Sequence, residues 1–81
     1  MNNTDHSISD IRAIVAEVLA LGPDEIDDAE DFVDRYQADS LNLIEIVAQV
    51  EKRYQVVLPQ RELPRARTVT ALYELAAGRA V

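Results

Sequence analysis

Ser40 is the side chain best placed to do chemistry, because an aspartate precedes it and the most regular apolar helical pattern of the chain begins directly after it. A hydroxyl there sits among the N–H groups that a helix N-terminus leaves without intrahelical partners, where the helix dipole favours an anion such as a phosphate diester. The plainer reading is that Asp39 or Ser40 only caps the helix, an arrangement worth about 1 kcal/mol. Spacing alone leaves both open. Reactive groups elsewhere are sparse. With no cysteine there is no thiolate nucleophile, disulfide or cysteine-type zinc site, so any thiol chemistry has to come from outside the chain. The single histidine, His6, lies in a polar N-terminal stretch and offers little to a nucleophile–base pair. The acids Asp24, Glu25, Asp27, Asp28, Glu30 and Asp31 raise the question of calcium, but their spacing departs from the EF-hand loop and no glycine occupies the turn. No catalytic residue and no metal site is expected, and the chain reads as a non-enzyme.

The elements that must position Ser40 follow from periodicity. Ile11, Ile14, Val15, Val18 and Leu19 predict a first helix from about Ser9 to Ala20, with Ser7 or Ser9 as cap and Asp10 in its first turn. Gly22-Pro23 is expected to end it, glycine supplying the positive φ of a helix exit. From Asp24 to Gln37 an irregular acidic loop is expected, pinned to the core by Ile26, Phe32 and Val33. Asp39 or Ser40 opens the second helix, carried by Leu41, Leu43, Ile44, Ile46, Val47, Val50 and Tyr54 to a stop before Pro59. A short helical turn, Gln60 to Leu63, is then cut off by Pro64, and Arg65-Ala66-Arg67 connects it to a last helix. That helix is capped by Thr68, buried through Val69, Leu72, Tyr73, Leu75 and Ala76, and closed by Gly78. Val56-Val57-Leu58 is too short to make a sheet. The pattern is an all-α bundle of three main helices plus one short helix, a single domain over residues 1–81 with order expected from about 7 to 78.

The second helix has two apolar faces. At about 100° per residue, Leu43, Ile46, Val47, Val50 and Tyr54 share the core side, while Leu41, Ile44, Glu45, Ala48, Glu51 and Lys52 share the opposite one. Lone exposed aliphatic residues are common. The i, i+3, i+7 spacing of Leu41, Ile44 and Ala48, flanked by Glu45 and Glu51, instead fits a docking stripe with a charged rim. A net charge of −7 and a pI near 4.4 repel nucleic-acid phosphates and anionic lipids, so neither is expected as a partner and a basic protein surface is. Thirteen of the acids and four bases lie in residues 1–58, against two acids and four bases in 59–81, which concentrates negative charge beside Ser40. Such charge would steer a basic partner, or simply keep the loop solvated. The longest apolar-rich stretch, residues 14–21, contains Glu17 and falls well short of the roughly 20 residues of a bilayer span. The first six residues lack the pattern of a secretory signal, so a cytoplasmic location is expected.

Ala38-Asp39-Ser40-Leu41, followed by Ile44-Glu45-Ile46-Val47, resembles the attachment motif of acyl carrier proteins. The similarity extends to Leu19-Ala20-Leu21, to the loop with Ile26 and Phe32-Val33, and to Leu58-Pro59 after Tyr54. The resemblance implies the four-helix acyl-carrier-like bundle and a 4'-phosphopantetheine arm. A phosphopantetheinyl transferase would move that arm from coenzyme A to Ser40 with support from Asp39. It further implies that Leu41, Ile44, Glu45 and Glu51 meet partner enzymes such as an acyltransferase, a ketosynthase or an acyl-loading enzyme, and that acyl or polyketide intermediates ride as thioesters on a carrier that suits a monomer. The chain departs from the family pattern at Gln37, usually glycine, Tyr36, usually leucine, and Asn42, often aspartate. Lys52 and Arg53 also stand at positions often acidic, which points to a specialised pathway. Two alternatives are a peptidyl or D-alanyl carrier sharing fold and arm, and an acidic helical adaptor in which Ser40 is only a cap.

Overall fold

The computed structural model describes residues 7–79, and His6 lies outside the described residues. Helix α1 (Ile8–Leu19) turns Ile11, Val15 and Ala16 inward, and the Asp10 carboxylate accepts a hydrogen bond from the Ser7 N–H at 3.1 Å to secure its start. The long central helix α3 (Ser40–Tyr54) buries Ile46, Val50 and Tyr54 at the four-residue spacing that places side chains on one face. Helix α4 (Val69–Arg79) follows Thr68, whose Oγ1 accepts from the Ala71 N–H at 3.0 Å, and seals the bundle with Val69, Leu72 and Ala76. Among the described residues there is no strand. Helix α1 packs on both α3 and α4, and these two pack on each other. Tyr54 crosses the base of the core, its hydroxyl donating to the Ser7 carbonyl at 3.3 Å. Burial, helped by the nearby Asp10, pushes its phenol up to about 12.

The segment expected to be an irregular loop is more ordered than its sequence suggests. It contains a 3₁₀ turn at Pro23–Glu25 and a five-residue helix, α2 (Phe32–Tyr36). A helix of barely one turn has no periodicity to read. Its one sequence signal is Asp31, whose Oδ1 caps it by accepting from Val33 N–H at 2.8 Å and Asp34 N–H at 3.0 Å. Phe32 and Ile26 are buried as expected, whereas Val33 is only half-buried.

Three further expectations are corrected. Gly22 does not supply the positive φ after α1, since its own φ is −76°. Ala20 does so, with φ 60° and ψ 42°, and the Leu21 N–H closes on the Ala16 carbonyl at 2.8 Å. Nor does Pro64 cut off the small helix after Pro59. A 3₁₀ helix runs across it over Gln60–Arg65, with Glu62 N–H to Pro59 O at 3.0 Å and Ala66 N–H to Leu63 O at 2.9 Å, so the proline omits a single bond. Gly78, expected as the terminator of the last helix, lies inside α4.

Candidate functional site

Ser40 is the first residue of α3 and is exposed. The capping role left open between it and its neighbour falls to Asp39. The Asp39 Oδ1 accepts from the Asn42 N–H at 2.9 Å, and the Asn42 Oδ1 accepts from the Asp39 N–H at 3.0 Å, a reciprocal box around the helix start. Ser40 is thereby released from the structural task, and the reading of it as merely a cap is set aside. Among the described residues neither its hydroxyl nor the N–H groups of Ser40 and Leu41 are engaged in a hydrogen bond. A free hydroxyl beside unengaged N–H groups, at the positive end of a four-turn helix, fits a phosphodiester substituent.

Ser40 also opens onto a groove of about 530 Å³ between α3 and the 3₁₀ helix, walled by Leu43, Ile44, Val47, Leu63, Pro64 and Ala66. Sequence reading missed this groove, because its far wall comes mainly from a short helix after Pro59 with too few residues to show which side chains face α3. The groove is mainly apolar and runs towards Glu51 and Gln60. An extended substituent on Ser40 therefore has a surface to lie along.

The outer face of α3 is exposed as its spacing predicts, while Leu43 and Val47, expected on the core face, are half-buried and line the groove. Leu41 is 74% and Ile44 64% exposed, and Glu45 and Ala48 are exposed beside them. Glu51 differs. Its Oε2 accepts from the Leu58 N–H at 2.8 Å, so this half-buried carboxylate fastens the chain leaving α3 as well as lining the groove.

Part of the acidic segment before Ser40 is committed to structure. Arg12 of α1 grips Asp28 through two bonds, Nε to Oδ1 at 2.8 Å and Nη2 to Oδ2 at 2.7 Å. Arg67 pairs with Asp31 through one hydrogen bond, Nη2 to Oδ1 at 2.9 Å, and an ion-pair contact that brings Nε 2.9 Å from Oδ2. Hydrogen bonding from Arg12 holds the Asp28 carboxyl below its ordinary range, and hydrogen bonding from Arg67 does the same for Asp31. The backbone reinforces both clamps through Phe32 N–H to Arg67 O at 2.7 Å and Thr70 N–H to Asp28 O at 3.1 Å. Asp27 stays exposed, its Oδ1 accepting from the Ala29 N–H at 2.9 Å while its own N–H donates to the Tyr36 hydroxyl at 2.7 Å. Sequence spacing gave no sign of the two arginine clamps, which join residues 16 and 36 positions apart. Their effect is to fix the segment that delivers Ala38, buried, and Asp39 to the start of α3. No group of three or more metal-ligating side chains is assembled among the described residues, and no described helix is long and apolar enough to cross a membrane.

The sequence model of one protein family, described as the phosphopantetheine attachment site, matches residues 9–76. The chain is similar to the meromycolate extension acyl carrier protein of Mycobacterium leprae, with 40% identity over 62 residues, 76% of this chain and 54% of that protein. It is similar to the acyl carrier protein of Brachyspira hyodysenteriae, with 36% identity over 63 residues, 76% of this chain and 81% of the other. A third likeness, to the meromycolate extension acyl carrier protein of Mycolicibacterium smegmatis, has 37% identity over 62 residues, 76% of this chain and 63% of that protein. The match spans about half the length of the first of these relatives.

Proposed function

The chain belongs to the acyl carrier protein family, whose members carry 4'-phosphopantetheine and are carriers rather than catalysts, and on that premise we propose that Ser40 is the residue that bears the arm. The single observation that carries this reading is the division of labour at the head of α3: Asp39 caps the helix and leaves the Ser40 hydroxyl exposed and unengaged. When bound, the arm supplies the terminal thiol that this cysteine-free chain lacks, so that acyl or polyketide intermediates are held as thioesters. The protein's own residues do the rest. Asp39 and Asn42 fix the direction in which Ser40 leaves the helix, and the first-turn N–H groups favour the phosphodiester charge. Leu43, Val47, Leu63 and Ala66 offer an apolar wall to whatever extends from Ser40.

Leu41, Ile44, Glu45 and Ala48 form the exposed ridge that meets a phosphopantetheinyl transferase and the acyl-processing enzymes, with Glu51 setting its edge on the groove side. Tethering raises the local concentration of an intermediate to about the millimolar range, so weak docking is sufficient and release stays fast. A soluble monomer working in the cytoplasm suits this shuttle, and a fatty-acid-type substrate agrees with the names of the mycobacterial relatives. Incubation with coenzyme A, magnesium and a broad-specificity transferase, followed by mass spectrometry, tests the reading. The wild type should gain one phosphopantetheine mass and Ser40→Ala none. Gain by the alanine variant, or none by the wild type, rejects it. Acyl-thioester formation on the loaded protein then separates this carrier from a peptidyl or D-alanyl one.

A further inference from the structure

The exposed face of α3 carries both signs of charge in a fixed order. Leu41, Glu45, Ala48 and Lys52 fall within about 40° of one line along the helix, with Ile44 beside it, at 100° per residue. Glu45 is exposed and is steadied by the Gln49 amide at 3.4 Å, so its charge remains on the surface near Ser40. Lys52, seven residues and about 10 Å further along the axis, is exposed and forms no ion pair among the described residues. Two neighbouring charges at that end are occupied, while Glu17 of α1 is exposed and lines a hollow with Lys52. Arg53 is 3.1 Å from Asp10, and Glu51 is bonded to the Leu58 N–H. Along this line of α3 a partner meets an anion near the arm, an aliphatic centre, and a cation about 18 Å from Ser40.

Resting on the carrier reading above, we infer that this face docks a heterologous protein whose apolar slot has a basic rim opposite Glu45 and an acidic rim opposite Lys52, instead of a uniformly basic surface. Charge complementarity at both ends fixes which way the helix lies in the slot, and so aims Ser40 towards one end of it. A second copy of the chain fits the pattern poorly. Antiparallel pairing of Glu45 with Lys52 of another copy puts Ile44 opposite Arg53 and Leu41 opposite residue 56, beyond the end of α3. Pairing Leu41 with Ala48 of another copy instead brings the two Glu45 carboxylates onto adjacent rungs. Apolar and ionic matching are not achieved together.

Two synthetic helical peptides with the same leucine stripe serve as probes, one with lysines along its whole rim and one with lysines at one end and glutamates at the other. Each is titrated at low ionic strength into the full chain, followed by amide chemical shifts. The mixed-rim peptide should bind about fivefold more tightly to the wild type, with shifts centred on Leu41, Ile44 and Ala48. Lys52→Glu should reverse the order. Arg65→Glu, the same charge change in a residue lining a separate hollow against α4, should keep it. Equal or tighter binding of the all-lysine peptide by the wild type overturns the inference. So does an order unchanged in Lys52→Glu, or concentration-dependent self-association centred on α3. Arm attachment at Ser40 is scored on the same samples by mass. An arm gained without the rim preference rejects this inference alone, and a rim preference without an arm rejects only the carrier reading.

Discussion

Replacing Gln37 by glycine should stabilise the protein. Gln37 ends α2 with φ 59° and ψ 36°, and its N–H donates to the Val33 carbonyl at 3.0 Å, so the left-handed conformation is required by the turn that leads into α3. For a residue with a Cβ that conformation costs about 1–2 kcal/mol, and glycine escapes it. Against the gain stands the extra freedom glycine gives the unfolded chain, about 0.4–1 kcal/mol. The net expectation is a gain of about 0.5–1 kcal/mol, or some 2–8 °C in Tm for a domain of this size. Gln37→Ala isolates the cause, since it keeps the Cβ and should change stability by less than about 0.5 kcal/mol. Ala20→Gly at the end of α1, where φ is 60°, should behave like Gln37→Gly. Urea unfolding of the four proteins with a shared m-value measures the differences. If Gln37→Gly lowers the midpoint, or Gln37→Ala raises it equally, the backbone argument is wrong and the amide side chain of Gln37 is making the difference.

Phe32→Ala should cost about 3–5 kcal/mol, because Phe32 is wholly buried and holds α2 in the core. Set against a total of roughly 4–12 kcal/mol for a chain this long, the variant sits near unfolding, which thermal melts by circular dichroism will register. Glu51→Ala should destabilise by about 1–2 kcal/mol by leaving the part-buried Leu58 N–H unpaired, whereas Glu45→Ala should stay within about 0.5 kcal/mol, both read from urea midpoints. The Asp28 and Asp31 carboxyls are held below their ordinary range in the folded state, so the stability they contribute is present above about pH 4 and is lost as pH falls through the depressed values. Arg12→Met should therefore flatten the acid limb of a stability–pH profile and leave a smaller difference between pH 6 and pH 3 than in the wild type.

The three long helices were legible because each repeats apolar residues at a helical period for three turns, as in Ile11, Val15 and Val18 or Ile46, Val50 and Tyr54. Ser40 was legible as a candidate because its position after Asp39 and before Leu41 is local information. The capping partner was not, since Asp39 and Ser40 have equal propensity for the role and only the dihedral angles and the bond to Asn42 decide between them. Helix α2 and the continuation of the 3₁₀ helix across Pro64 escaped for want of length. The Arg12–Asp28 and Arg67–Asp31 clamps escaped for a different reason: the attraction between opposite charges carries no periodicity, and many acid–base pairings were available in this sequence. The acidic segment thus read as solvated charge although two of its carboxylates are structural.

Helix α3 is secured by its inner residues Ile46, Val50 and Tyr54, by Asp39 at its start and by Glu51 at its departure, while Leu41, Ile44, Ala48 and Lys52 lend the core nothing. A surface that contributes nothing to cohesion is free to drift. On the docking role proposed above, single replacements there would alter partner choice without putting the fold at risk, so specificity and stability can be tuned separately along a single helix.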